Sequence, residues 1–364
     1  MKTPESPTRE KKLPRALVGL ALGLGLVPAL AAATPAEPSW RQYPPLPDPS
    51  GFASPFAGVA GGDLVVAGGA NFPGKQMWEG GAKVWHDGVF VLKAGTGSWE
   101  LAGRLPMPLA YGVSVSTEAG ILCAGGSDAA KHHAGVFLLQ WREGRLSYQT
   151  LPALPLPIAL GAGARVGEIV YLAGGLESPA SKEPLGVFLA FDLRKPEAGW
   201  RQLPSWPGPG RFQAVAAAGT DAFYLCSGLR YEAAGTSEPK LVYLRDAYRY
   251  SEKTGWGKLP DLPYPAVVAA SPAPVIAGEI LLVGGVDGSG TGKRPQDFYP
   301  APRRIQVYSI RDNLWTERGL APVGRVCVST VFWDGRWIFP SGERSPGVRS
   351  PEVWAIEPPA MAIP

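Results

Sequence analysis

The segment Ser341-Gly342-Glu343-Arg344-Ser345-Pro346-Gly347-Val348-Arg349 sets a carboxylate six residues ahead of a guanidinium, with a Pro-Gly turn between them. Such a turn folds Arg349 back toward Glu343. A carboxylate so placed can move a proton, and an arginine beside it can hold an anion. Read alone, the same residues fit a structural ion pair, because such pairs are common. Two more arginines, Arg211 and Arg325, each lie 17 residues before a recurring glycine, a phase held elsewhere by Leu109. Converging guanidiniums could fork a carboxylate bidentately, while arginines that satisfy backbone carbonyls fit the spacing equally well.

Other chemistry is sparse. Of the three histidines, His132 and His133 are adjacent, so their side chains diverge and a two-histidine metal site is not expected. His86 follows the tract Trp78 to Trp85 and could line the cavity, though a surface placement is expected. Asp287-Gly288-Ser289-Gly290 reads as a turn, not a calcium loop, and no Gly-x-Ser-x-Gly elbow is present. Cys123, Cys226 and Cys327 each fall in an apolar run (Cys327 in the strand-like Val326-Cys327-Val328), and buried free thiols are expected. No metal and no cofactor are implied.

The elements that must position these residues repeat. Glycine pairs or their remnants end apolar runs at Gly68-Gly69, Gly125-Gly126, Gly174-Gly175, Ser227-Gly228, Gly284-Gly285 and Ser341-Gly342. The second members stand 57, 49, 53, 57 and 57 residues apart. Between them an aromatic marker precedes a proline step, as in Trp99…Leu105-Pro106, Tyr148…Leu151-Pro152 and Trp200…Leu203-Pro204. A period near fifty with this phase is the kelch pattern, one four-stranded propeller blade per repeat. The expected fold is an all-β, six-bladed kelch-type β-propeller over residues 34–364. The C-terminal run Val353–Ile356 lacks its aromatic marker and Trp40 is an orphan, so the N-terminal strand is expected to close the last blade. The loops after the glycine pairs are long and share one face, where a site is expected.

Residues 1–33 combine a basic start, an apolar stretch from Ala16 to Leu30 and small residues, the pattern of a secretory signal peptide. A periplasmic or secreted location is expected, with no membrane attachment after leader cleavage. Of the net charge of +4, +3 falls in that leader. A nearly neutral remainder argues against nucleic acid as partner. Room is left for a homodimer.

With the repeat and the Glu343 segment together, the chain resembles the N-acetylneuraminate epimerase (sialic acid mutarotase) family, in its cyclically permuted branch. Gly51 to Trp141 resembles the last two blades of the unpermuted family, through Phe56-Ala57-Gly58-Val59, Ala67 to Gly74 and Ala110-Tyr111-Gly112-Val113-Ser114. Gly342 to Arg349 resembles its Gly-Glu…Pro-Gly-x-Arg segment, and Arg211-Phe212-Gln213-Ala214 its Arg-x-Gln-Ala step. The resemblance is weakest over Pro272–Arg303, and Leu109 stands where the relatives carry arginine. It implies a small-molecule, acidic sugar as partner, Glu343 as the base and Arg349 as its catalytic companion. Arg211, Arg325, Tyr111 and Asn71 are then the expected substrate-lining residues. A non-catalytic carbohydrate- or protein-binding propeller is the alternative. A copper radical oxidase of this architecture is disfavoured by the placement of its three histidines.

Overall fold

Runs of four to seven residues rich in Val, Ile, Leu and aromatics, each stopped by glycine or proline, dictate short strands joined by tight turns. A computed structural model describes residues 37–234, 237–297 and 299–357, and the expected leader lies outside the described residues. The strands form six four-stranded antiparallel blades. The first blade comprises Phe56–Ala60, Asp63–Ala67, Gly88–Leu92 and Trp99–Arg104. The sixth comprises Val331–Trp333, Arg336–Pro340 and Val353–Glu357, completed by Ser39–Tyr43 with Trp40 in register with Ile356. The ring therefore closes as expected, through the N-terminal strand. Helix among the described residues is limited to three single turns.

The core is six wedges, one between each pair of neighbouring blades. Leu64, Val66, Val331, Ile338 and Val353, for example, join the first blade to the sixth. Cys123 and Cys226 are buried free thiols within two such wedges. The aromatic markers stitch blades together from outside. Trp99, Trp200, Trp256 and Trp315 each donate an indole N–H to the proline-step carbonyl of the preceding blade, at Pro44, Pro152, Pro204 and Pro260. Tyr148 does the same through its hydroxyl, to the Arg104 carbonyl at 2.7 Å. Trp40 departs from the rule: its ring packs on Phe339, but its buried indole N–H has no partner among the described residues.

The glycine pairs are required by close approach. Gly174 has φ +67°, and a Cβ there would stand 2.3 Å from the Arg211 carbonyl oxygen of the next blade. Gly175 N–H donates to that same oxygen at 2.8 Å, as Gly69 does to Leu109. In five of the six blades the residue 17 before the glycine is thus used through its carbonyl, one blade back.

Two residues further along in five of the blades, and at that phase itself in the fifth, the chain turns at the axis. Ser54, Tyr111, Leu160, Gln213, Val268 and Cys327 all adopt left-handed φ between +45° and +63°, which non-glycine residues avoid. Each donates its N–H to the carbonyl of its counterpart in the preceding blade, at 2.8–3.1 Å, from Ser54 to Cys327 and so round the circle. Six hydrogen bonds closed into a ring hold a strained conformation at the mouth of the channel. Cys327 accordingly sits in this turn rather than in a strand, a correction that follows from ring closure.

Candidate active site on the loop face

Above the ring lies a cavity of about 760 Å³. Its floor includes Tyr111, Leu160, Gln213, Val268 and Cys327, and its walls are the loops that follow the glycine pairs. A second chamber of about 700 Å³ adjoins it and shares Glu343, Leu241 and Tyr243. Along the inner strands on the axis, the space shrinks to about 70 Å³.

Glu343 and Arg349 meet at the mouth. The segment forms a small hairpin, Glu343–Ser345 with Val348–Arg349, in which the two residues are cross-strand partners. Arg349 Nη1 lies 2.9 Å from Glu343 Oε2, with side chains 6% and 16% exposed. Gly347 N–H donates to Glu343 Oε1 at 3.2 Å, so the turn aims the carboxylate. Arg349 is held in turn by Nε donating to the Ala70 carbonyl at 3.4 Å and by the Phe72 ring, 5.0 Å from its guanidinium carbon. Burial pushes the Glu343 carboxyl above its ordinary value, against the opposing pull of Arg349, the Gly347 N–H and Lys83.

Tyr111 also belongs to this centre. It interacts with Arg349, and burial raises its hydroxyl above the ordinary range. Its ring carries the Lys83 ammonium at 4.3 Å from the centroid, while Trp85 offers a second ring at 4.6 Å. Lys83 was not singled out from the sequence. It lies on a long loop of the expected face just before an aromatic strand, but only the fold shows that the loop turns back over the axis. His132, likewise unassigned, lines the same cavity and hydrogen-bonds the Leu176 carbonyl at 3.0 Å through Nδ1.

Three expected lining residues are corrected. Arg211 is fully buried between blades, its Nη1 and Nη2 on the two Asp246 oxygens at 2.8 and 2.7 Å, with Trp206 and Tyr248 against the guanidinium. Arg325 pairs with Glu352, again away from the cavity. Backbone use of this phase explains both, because a residue whose carbonyl caps the previous blade sends its side chain into the wedge. Leu109 obeys the same geometry and packs in the core of the first and second blades. An apolar residue there takes nothing from the cavity. Asn71 is buried too: it donates to the Gly51 carbonyl at 2.9 Å and accepts from His86 Nε2 at 2.7 Å.

Fold and site together define a closed six-bladed propeller with an ionisable centre in its axial cavity. The chain belongs to the N-acetylneuraminate epimerase family, matched over residues 30–148 and 151–293. It is 29% identical over 232 residues to the N-acetylneuraminate epimerase of Haemophilus influenzae (strain 86-028NP), covering 56% of this chain and 58% of that one. It is 39% identical over 126 residues to that of Brucella suis (strain ATCC 23445 / NCTC 10510), covering 30% and 32%. The chain thus matches little more than half the length of such relatives, or less. Among solved structures, that titled "Structure of YjhT" superposes with TM-score 0.64 at 15% identity, over 88% of this chain and 98% of that one, a likeness of fold.

Proposed function

We propose that this protein is a mutarotase of N-acetylneuraminate, interconverting its α and β anomers in the periplasm, with Glu343 as base and Arg349 as its companion. The observation that carries the reading is the Glu343–Arg349 pair fixed at the mouth of a cavity of about 760 Å³. The family match ends at residue 293, so the role of the pair rests on this geometry.

Anomer exchange opens and recloses a hemiketal. A base takes the proton of the anomeric hydroxyl, the bond from the anomeric carbon to the ring oxygen breaks, and the ring oxygen gains a proton to become a hydroxyl. The open ketone rotates and the hydroxyl attacks its other face, with both protons returned. Every step is a proton transfer coupled to one C–O bond, so no redox partner enters. Glu343 has the chemistry for the first transfer, and its raised pKa makes its carboxylate a stronger base than an exposed one. The Arg349 guanidinium suits the substrate carboxylate or the oxyanion that develops on opening. Leader-like residues 1–33 support the periplasmic assignment. NMR exchange spectroscopy of anomers with a small panel of acidic and neutral sugars tests the reading: acceleration for N-acetylneuraminate is expected, and no acceleration for any sugar would leave a binding propeller in its place.

A further inference from the structure

Ring opening needs a proton donor as well as a base, and Glu343 supplies only one of the two roles at a time. The cavity holds one cation without a carboxylate closed onto it among the described residues. Lys83 immediately precedes the short strand Val84–Trp85, which pairs with Ala70–Asn71. Asn71, pinned by His86 and the Gly51 carbonyl, anchors that ribbon to the core. Two aromatic rings then fix the ammonium in space: Tyr111 and Trp85, with centroids 4.3 and 4.6 Å from Nζ. Tyr111 interacts with Arg349, and Arg349 is bonded to Glu343, so the three ionisable side chains form one contiguous set around the same space.

We propose that Lys83 is the proton donor of this site, protonating the ring oxygen as the pyranose opens and recovering that proton when the ring recloses; this rests on the mutarotase reading above. The step balances. Glu343 holds the anomeric hydroxyl's proton while Lys83, momentarily neutral, has given its own to the ring oxygen, and reclosure on the opposite face returns both.

The surroundings suit that task. Burial, and then the charge of Arg349, lower Lys83 to about 8, with Glu343 and Cys327 pulling the other way. An ammonium of that strength gives up a proton far more readily than one in water. The groups facing it are Arg349, Glu343, Cys327 and Tyr111. Burial pushes Cys327 up to about 12 and Tyr111 higher still, so neither titrates near Lys83.

The test is saturation kinetics of N-acetylneuraminate anomer exchange by NMR, from acid to alkaline pH, for wild type, Lys83→Arg and Lys83→Met. Arginine preserves the cation over the two rings and would serve as well as lysine to anchor a substrate carboxylate, but it does not release its proton. Lys83→Arg is expected to lose about 100-fold in kcat with KM nearly unchanged, and Lys83→Met to lose kcat similarly with a higher KM. Wild-type kcat should fall as pH rises past about 8, and Lys83→Arg should lack that limb. A Lys83→Arg protein with wild-type kcat, or with the same alkaline limb, overturns the proposal. So does a wild-type profile that stays flat above pH about 8, a result independent of how either variant folds. Wild type with no exchange on N-acetylneuraminate overturns the mutarotase reading itself, and this inference with it.

Discussion

Two opposed influences act on Glu343: burial favours its neutral acid, while Arg349, the Gly347 N–H and Lys83 favour the carboxylate, and burial prevails. A base must be deprotonated, so kcat should fall as pH drops through this raised value. The acid limb is therefore expected above the ordinary carboxylate range, and a pH profile of anomer exchange measures it. Arg211 makes the contrasting case. Burial would raise Asp246, but the Arg211 hydrogen bonds and charge overcome it and hold that carboxyl below its usual value. The stabilisation is then present above the unfolded-state value of about 4 and is lost as pH falls through the folded one. Arg211→Met should cost about 3–5 kcal/mol at neutral pH in urea unfolding, with the gap to wild type narrowing in acid and KM for the sugar unchanged. A weakened KM in a normally folded Arg211→Met would return that arginine to the site. The difference between Arg211 and Arg349 was not legible from spacing. Both are arginines near a glycine on a site-facing segment, and only the interblade hydrogen bond to the residue-211 carbonyl decides where its side chain goes.

At the scale of the element, the hairpin after Ser341-Gly342 was legible because its Pro-Gly turn leaves one way to fold six residues back. Gly347 has φ +81°, and its N–H meets Glu343, so the turn and the chemistry are one object. Gly347→Ala should cost about 1 kcal/mol or more of stability, through the left-handed φ and a new methyl 3.0 Å from Met77 Sδ, and roughly 10-fold in kcat. Gly144→Ala is the control: φ is +74° in an outer blade turn, nothing lies within 4 Å of the new methyl, and stability alone should fall. Equal kcat losses in both would mean that strain, not aim, is being read. The aromatic–proline period was also plain in the sequence, and its cause is the indole-to-carbonyl bond between blades. The ring of six left-handed residues was not. Its members, Ser54, Tyr111, Leu160, Gln213, Val268 and Cys327, share no side-chain chemistry, since the backbone alone does the work. Lys83 was missed for a related reason: a long loop reveals which face it leaves from, not which of its residues returns over the axis.

At the scale of the whole molecule, closure by the N-terminal strand is what a period of six glycine pairs and one orphan tryptophan required. Without Ser39–Tyr43, the sixth blade would present Val353–Glu357 as an open edge. Deleting the chain through Tyr43 should lower the thermal midpoint by at least about 5 °C and promote association, followed by calorimetry and light scattering. An unchanged midpoint would mean that the ring does not depend on its closing strand. The closed ring in turn gives all six loops a common centre, and it is there that the account makes its central claim, that Glu343 moves the anomeric proton. The most direct test compares wild type and Glu343→Gln by NMR exchange spectroscopy of N-acetylneuraminate anomers, because glutamine preserves shape and hydrogen bonding but cannot accept the proton. The account predicts exchange slowed ~100-fold or more with the fold intact. Exchange by Glu343→Gln at the wild-type rate would contradict it and leave the glutamate a structural partner of Arg349.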